Sequence, residues 1–265
     1  SGFRPGERVW ALDTATMQRS HPLTALGTSP IEGSRDYLLH FKEPVSGRIA
    51  AGHILENASL CPKLIVRNCR MLKQNRGRSI LVTTPARVRI EHNYFRSAGA
   101  AVLIEGDTEL WFESGAVGNV VIRDNIFEDC YTSGNNLIDA PWGWGEGVIS
   151  ISPSFRPADE TVAAYHRNIR IKRNTFRHFD YAVLFARSVE GLTFSRNTLE
   201  RTHTFKPFYR PCNLYLDGCR KVRISRNQLS PDFPGHNICI DHMRASEIVQ
   251  SGARIFEITP KLTDR

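Results

Sequence analysis

Ile169-Arg-Ile171-Lys-Arg-Asn174-Thr-Phe176 is one copy of a line that recurs through the chain. Others read Val88-Arg-Ile90-Glu-His-Asn93-Tyr-Phe95, Val120-Val-Ile122-Arg-Asp-Asn125-Ile-Phe127, Leu192-Thr-Phe194-Ser-Arg-Asn197-Thr-Leu199 and Val222-Arg-Ile224-Ser-Arg-Asn227-Gln-Leu229. An earlier copy, Leu64-Ile-Val66-Arg-Asn-Cys69-Arg-Met71, has Cys69 where the others have Asn. Each copy alternates apolar and polar residues with period two, the pattern of a short strand with one buried face. The Asn falls where the chain must turn. Units spaced by about two dozen residues, with some longer gaps, cannot bury their apolar faces alone and stack instead.

A strand-based stacking unit makes the expected fold all-β, a right-handed parallel β-helix. Asn side chains stacked at one turn hydrogen-bond along the axis, and Asn tolerates the left-handed backbone such turns need. A β-sandwich of alternating strands, the competing fold, has no reason to keep Asn in a fixed register. Residues 1–60 lack the repeat. Gly and Pro turns there separate strand-like stretches, and the segment reads as a small antiparallel β subdomain, barrel-like, covering the first coil. Residues 61–250 then hold about six coils, and 251–265 form a tail or terminal cap.

Of the 265 residues, 41% are hydrophobic and 23% charged, a globular composition. No apolar run approaches the roughly 20 residues that span a bilayer. No signal peptide is visible at the start, and Ser1-Gly2 is compatible with a processing scar. The net charge of +8 raises the question of nucleic acid. Most of the cations (Arg67, Arg89, Arg123, Arg170, Arg223 among them) are outward residues of the repeat strands, where they blunt sheet pairing. No aromatics interleave with them to stack bases, so no nucleic-acid partner is expected. The six Cys contain no C-x-x-C pair, so neither a metal nor a disulfide framework is indicated. Cys69 is expected as a small buried ladder residue, and Cys212 with Cys219 would pair only by accident of coil geometry.

Each coil holds a second strand, and the outward residues at its end form one expected column: Thr83, Glu105, Ser152, Ala186, Asp217 and Asp241. Long loops on a solenoid gather on its functional face. One runs Gly106 to Gly115 and the longest Cys130 to Gly147, and they carry Trp111, Trp142 and Trp144. These loops flank Glu105, Asp107, Glu113 and Glu146. Indoles stack on the C–H faces of sugars, and acetal hydrolysis needs a proton donor and a second carboxylate, so the set suggests a carbohydrate site. Packing of each Trp within its own loop is the plainer alternative. Asp217 and Asp241, one coil apart, would stack roughly 4.8 Å from one another and raise one pKa. Neutralisation by an Arg such as Arg244 is the alternative for that pair. Glu105 lies three coils away from Asp217, roughly 14 Å, so the two sets serve separate centres. His166 and His178 flank one coil and either join a sugar site or are surface and turn residues. The nine His residues show no metal-ligand spacing.

The run Asn75-Arg-Gly-Arg78-Ser-Ile-Leu-Val-Thr-Thr-Pro85, the Gly106-Asp107 turn, Trp111-Phe-Glu113-Ser-Gly115 and the Asn coils resemble the β-helical glycoside hydrolases of the blood-group-B-type α-1,3-galactosidase family. The resemblance covers roughly residues 1 to 245. It implies an exo-acting, inverting enzyme on α-linked galactosides, with Asp residues on neighbouring coils as acid and base and neither metal nor cofactor in the chemistry. Asp107 is the first residue to match to that role, with Glu105 and Glu113 supplying the partner; no adjacent Asp-Asp pair stands in the coils. Trp111, Trp142 and Trp144 would stack on sugar, while Arg76, Arg78 and Glu146 hold hydroxyls. The implied partner is a galactoside glycan, and the implied location secreted or periplasmic. A polysaccharide lyase on uronate polymers and a non-catalytic glycan-binding β-helix are the alternatives. The oligomeric state is left open.

Overall fold

A computed structural model describes residues 2–74, 77–108, 111–113, 115–132, 145–207 and 212–260. Among the described residues the fold is all-β, with one short 3₁₀ turn, Ala245–Glu247. Its first strands, β1 (Arg8–Leu12), β2 (Leu23–Pro30), β3 (Tyr37–Phe41) and β4 (Ile54–Asn57), form an antiparallel sheet in the order β3-β2-β1-β4.

The remaining strands pair in parallel. A first circuit is β5 (Leu64–Arg67), β6 (Arg70–Gln74) and β7 (Ile80–Val82); a second is β8 (Val88–Glu91), β9 (Tyr94–Ser97) and β10 (Val102–Ile104). The third holds β11 (Gly118–Arg123), β12 (Ile126–Glu128) and β13 (Ile149–Ile151). The fourth holds β14 (His166–Lys172), β15 (Thr175–His178) and β16 (Leu184–Arg187). The fifth is β17 (Val189–Ser195), β18 (Thr198–Arg201) and β19 (Leu214–Asp217), and the sixth β20 (Val222–Ser225), β21 (Gln228–Leu229) and β22 (Asn237–Asp241). Two more strands, β23 (Ile248–Ser251) and β24 (Glu257–Pro260), extend two of the sheets. The first, second and third strands of successive circuits build three separate parallel sheets, each strand beside its counterpart one circuit away.

The repeat line explains this register. Val88, Val120, Ile169, Leu192 and Val222 are all buried, as are Ile90, Ile122, Ile171, Phe194 and Ile224. Beyond the turn, Phe95, Phe127 and Phe176 stack with centroids 5.0 and 4.9 Å apart. The ladder Asn residues are buried and bond upward and downward at once. Asn174 Nδ2 donates to Ile122 O (3.1 Å) and Asn197 Oδ1 (3.1 Å), while its Oδ1 accepts the Asn125 N–H (3.1 Å). Asn93, Asn125, Asn197 and Asn227 repeat the pattern.

The left-handed residue is the one before each ladder position, not the Asn expected from the sequence. Asn68, His92, Asp124, Arg173, Arg196 and Arg226 all have φ between 54° and 56°. The reason is division of labour: the preceding residue makes the bend, leaving the Asn side chain turned inward to bond. A non-glycine residue there costs about 1 kcal/mol or more, which the ladder bonds offset. On the outer face Arg123 pairs with Glu91 (2.6 Å), Arg173 with Asp124 (2.8 Å) and Arg177 with Glu200 (3.0 Å), so part of the positive face is neutralised laterally.

Two cysteine expectations are corrected. Cys212 and Cys239 form a disulfide across a circuit, with Cα atoms 6.0 Å apart. Cys69 is exposed at the end of the ladder: its N–H donates to Asn93 Oδ1 (3.0 Å), while its thiol turns back to Arg67 O (3.2 Å).

His166 and His178 are neither surface nor turn residues. Both are fully buried, and burial pushes each down to about 3, with Arg19 adding to the shift at His166. His166 Nδ1 accepts the Val117 N–H (3.1 Å), and its Nε2 has no partner; neither nitrogen of His178 has one. A lowered folded-state value means that only the unfolded chain takes up the proton as pH falls below the ordinary histidine value near 6.5. The stabilisation these groups contribute is therefore present above pH 6.5 and drains as pH falls toward 3. Thermal melts between pH 7.5 and 4.5 should show this decline. A His178→Phe variant should show a slope smaller by about one proton; an unchanged slope would mean that the folded state admits the proton.

Candidate active site

The outward column forms at the downstream ends of the third strands, with one correction. Ile104 pairs with Ile151, Ile151 with Ala186 and Ala186 with Leu216, all inward positions. Ala186 is buried in the core, and the residue in line with Asp217 and Asp241 is Arg187. The stretch Ala182 to Ala186 is apolar throughout, so nothing in it distinguishes the two faces, and a one-residue slip exchanges them.

That slip decides the fate of the Asp217 and Asp241 pair. Arg187 Nε donates to Asp217 Oδ2 (2.8 Å), and His242 Nδ1 meets Asp217 Oδ1 (2.8 Å) and Asp241 Oδ1 (3.4 Å). The Tyr215 hydroxyl donates to Asp241 Oδ2 (3.3 Å). Arg244, expected near this pair, bonds Glu160 instead. Among the described residues, Asp217, Asp241 and His242 bring ligand atoms within 4.8 Å of one another. The fixed positive charge of Arg187 inside the same cluster opposes a cation, so the donor set does not fit a metal centre.

Three circuits away the second set comes together. Glu105 follows β10 on the outer column and is half-buried. Burial raises its pKa most, Glu113 and Asp107 raise it further, and Arg78 opposes them. These four ionisable groups thus share one electrostatic site. Asp107 is almost fully buried, and its Oδ2 accepts the Trp111 N–H (2.7 Å), so this carboxylate shapes its own loop. Gly106 O accepts the Ser154 N–H (3.0 Å) and hydroxyl (3.2 Å), fixing the loop's departure from the sheet. The loop then turns outward. Trp111 is 73% exposed and Phe112 64%, two adjacent aromatic faces in water beside three carboxylates.

Glu146 precedes β13, and its N–H donates to Ser150 Oγ (3.1 Å), which folds the chain back against that strand. Ser150 pairs with Leu103, two residues before Glu105. Arg76, Trp142 and Trp144 lie outside the described residues. Sequence reasoning missed Arg187, hidden by the register slip, and Ser154, which follows a strand with no motif around it.

A carboxylate cluster beside exposed aromatics, at the edge of stacked parallel sheets, is the kind of site that glycoside-cleaving proteins use, and the chain is homologous to galactosidases over nearly its whole length. It is 38% identical over 256 residues to α-1,3-galactosidase B of Bacteroides thetaiotaomicron, covering 96% of this chain and 40% of that protein. It is 36% identical over 251 residues to α-1,3-galactosidase A of Bacteroides fragilis, covering 94% and 40%, and 34% identical over 249 residues to α-1,3-galactosidase B of Akkermansia muciniphila, covering 91% and 30%. The chain thus spans 40% or less of the length of these relatives. No family model matches it. Among the described residues no helix is long and apolar enough to cross a membrane.

Proposed function

We propose that the chain forms the carbohydrate-acting part of a glycoside hydrolase that removes terminal α-linked galactose with inversion. The observation that carries this reading is Glu105, half-buried with a raised pKa between Glu113 and Asp107, in a chain homologous to α-1,3-galactosidases. A raised carboxyl keeps its proton nearer neutral pH, which suits a general acid. Glu105 protonates the glycosidic oxygen as its bond to the anomeric carbon breaks. Glu113, exposed enough to hold water, takes a proton from the water that attacks the opposite face. Asp107, assigned first by resemblance, holds the loop and supplies negative charge that helps to raise the Glu105 pKa. Inversion requires acid and base about 6.5–9.5 Å apart, leaving room for that water.

The same reading takes the stacked circuits as a right-handed parallel β-helix over residues 61–250. Residues 1–60 are its antiparallel subdomain, and 251–265 its terminal cap. The Cys212–Cys239 disulfide supports an oxidising compartment, secreted or periplasmic.

The test is galactose release by the full-length protein from α-1,3-, α-1,4- and β-linked galactosides, with the product anomer followed by NMR. Release from an α-linked substrate, with β-galactose appearing first, supports the reading; no release from any of them overturns it. Trp111→Ala should raise KM roughly five- to tenfold with kcat little changed, since a stacking platform binds ground state and transition state alike. A fall in kcat at constant KM would show instead that the indole acts only in the transition state.

A further inference from the structure

The antiparallel sheet ends in an open, apolar edge. β3, Tyr37-Leu-Leu-His-Phe41, is the outer strand in the order β3-β2-β1-β4 and pairs with β2 alone. β1 pairs with β2 only at Leu23 and Thr24, so from Leu26 to Pro30 β2 has β3 as its one strand partner among the described residues. Tyr37 is 55% exposed, Leu38 54% and Leu26 54%, and a two-stranded ribbon cannot bury such residues by itself. The backbone of the edge is open as well. Lys42 N–H donates to Thr24 O (2.9 Å), and Asp36 O accepts the Ile31 N–H (3.2 Å), so the even-numbered residues bond toward β2. By the alternation of a strand, the N–H and C=O groups of Tyr37, Leu39 and Phe41 point the other way. The irregularity in this pairing, between Ala25 and Gly27, lies on β2 and leaves that alternation intact. Sheet edges are ordinarily guarded against further pairing by Lys, Pro or an inward charge, and β3 contains none of these.

We infer that β3 is a dimerisation edge: it pairs antiparallel with β3 of a second copy of this chain across a two-fold axis at Leu39, joining the two four-stranded sheets into one. The strand's own sequence completes this register. With Leu39 opposite its counterpart, Tyr37 faces Phe41, Leu38 faces His40 and Asp36 faces Lys42. Tyr37, Leu39 and Phe41 carry the open backbone groups, so each of their facing pairs exchanges two N–H···O bonds, about six in all. Their side chains share one face of the ribbon, where those of the two copies form a single apolar cluster. Asp36 and Lys42 belong to the alternate set, whose facing side chains come closest, so opposite charges meet at both ends of the pairing. Both are exposed; Lys42 has no ion pair among the described residues, and Asp36 accepts only the neighbouring Ser34 hydroxyl (2.8 Å) and N–H groups of its own turn. Moving the axis to Leu38 or His40 leaves part of β3 unpaired and sets Asp36 against His40 or Pro44. Five residues bury little area by the standard of obligate dimers, so the dimer should dissociate with a Kd of about 1–100 µM. The inference is independent of the proposed hydrolase and needs no activity to test it.

The experiment is sedimentation equilibrium of the full-length protein over about 1–300 µM, where a dimer of this strength forms and dissociates. Asp36→Lys and Lys42→Asp each set like charges face to face twice per dimer and should raise Kd roughly tenfold or more. The double variant restores both pairs and should return Kd to within about threefold of the parent. Leu39→Cys should form a covalent dimer on mild oxidation, because its counterpart lies about 5.5 Å away between Cα atoms. Leu38→Cys meets its own counterpart only on the diagonal, roughly 7–8 Å away, and should cross-link no more than the parent, whose exposed Cys69 sets the background. A dimer weakened by each reversal, restored by the two together and trapped by Leu39→Cys supports the inference. A parental monomer throughout that range would overturn it, whether the edge stays bare or is covered by the rest of the full-length chain. A dimer whose Kd ignores both reversals, or that Leu38→Cys traps as readily as Leu39→Cys, would overturn it too, because the copies would then meet on another surface or in another register.

Discussion

Glu105→Gln should lower kcat by about 10²- to 10⁴-fold while leaving the fold at neutral pH as stable as the parent or more so. Both halves follow from one environment. Burial, then Glu113 and Asp107, raise the pKa of Glu105 above that of an ordinary carboxyl, with only Arg78 opposing. A raised folded-state value means that stability is full below the unfolded pKa and is lost as pH rises through the folded one. At neutral pH the parent therefore bears the cost of charging a group that the unfolded chain charges freely. Gln removes that cost, and at pH 4 and below the two stabilities should converge. The same substitution removes the proton that the leaving oxygen needs. An aryl galactoside with a very acidic phenol needs that proton least and should lose roughly tenfold or less, against the full loss on a disaccharide. Parallel measurement of kcat on both substrates and of melting temperature at pH 4 and 7 checks every part. A kcat within threefold of the parent on the disaccharide would sink the acid assignment. A variant clearly less stable at pH 7 would show that Glu105 is a structural ion-pair residue instead. The joint outcome is the usual one for an active-site group, where function is held at the expense of stability.

The stacked circuits were legible because two independent periods agree. The alternation of Ile169 to Ile171 with its polar neighbours sets the inward face, and the fixed Asn sets the turn. The same alternation continues past the turn, where Phe176 and His178 are both inward, so the burial of His178 was readable from period two. Its polar character argued against that placement, and the period won. Ala186 failed for the opposite reason: five apolar residues in a row carry no period, and only the pairing with Leu216 reveals that Arg187 faces outward. The disulfide escaped because Cys212 and Cys239 hold no equivalent strand positions; Cys239 pairs with Tyr215, and Cys212 precedes that strand. Of the candidate site, Glu105, Asp107 and Glu113 share the connection after β10, whereas Arg78 comes from the preceding circuit, just before β7. The bond from the Gly115 N–H to Glu56 joins segments with no common pattern, and no local period encodes it.

Asn174→Ala should cost about 3–6 kcal/mol, the largest stability loss expected from a single side chain in the stacked sheets. Asn174 is buried, and removing its amide strips partners from groups in both neighbouring circuits. The Asn125 N–H loses its acceptor (3.1 Å), Asn125 Nδ2 loses one of its two (3.0 Å), and Ile122 O loses its donor (3.1 Å). Each buried polar group left unpaired costs about 1–3 kcal/mol, and no water reaches a position enclosed between circuits above and below. A domain is stable by only about 5–15 kcal/mol, so the variant should unfold at a much lower urea midpoint with an unchanged slope. Asn174→Asp keeps the size and the acceptors but sets a second oxygen against Ile122 O and Asn197 Oδ1, and should be no better tolerated. The head of the ladder gives the contrast. Cys69 is exposed and only its backbone N–H joins the ladder, so Cys69→Asn should change stability by no more than about 0.5 kcal/mol. If Asn174→Ala cost less than about 1 kcal/mol, the circuits would be held by their apolar faces alone, and the fixed Asn would need another explanation. If it matches the expectation while Cys69→Asn is neutral, the ladder is cooperative only where a circuit lies on each side, and the spacing of Asn along the sequence marks the enclosed circuits themselves.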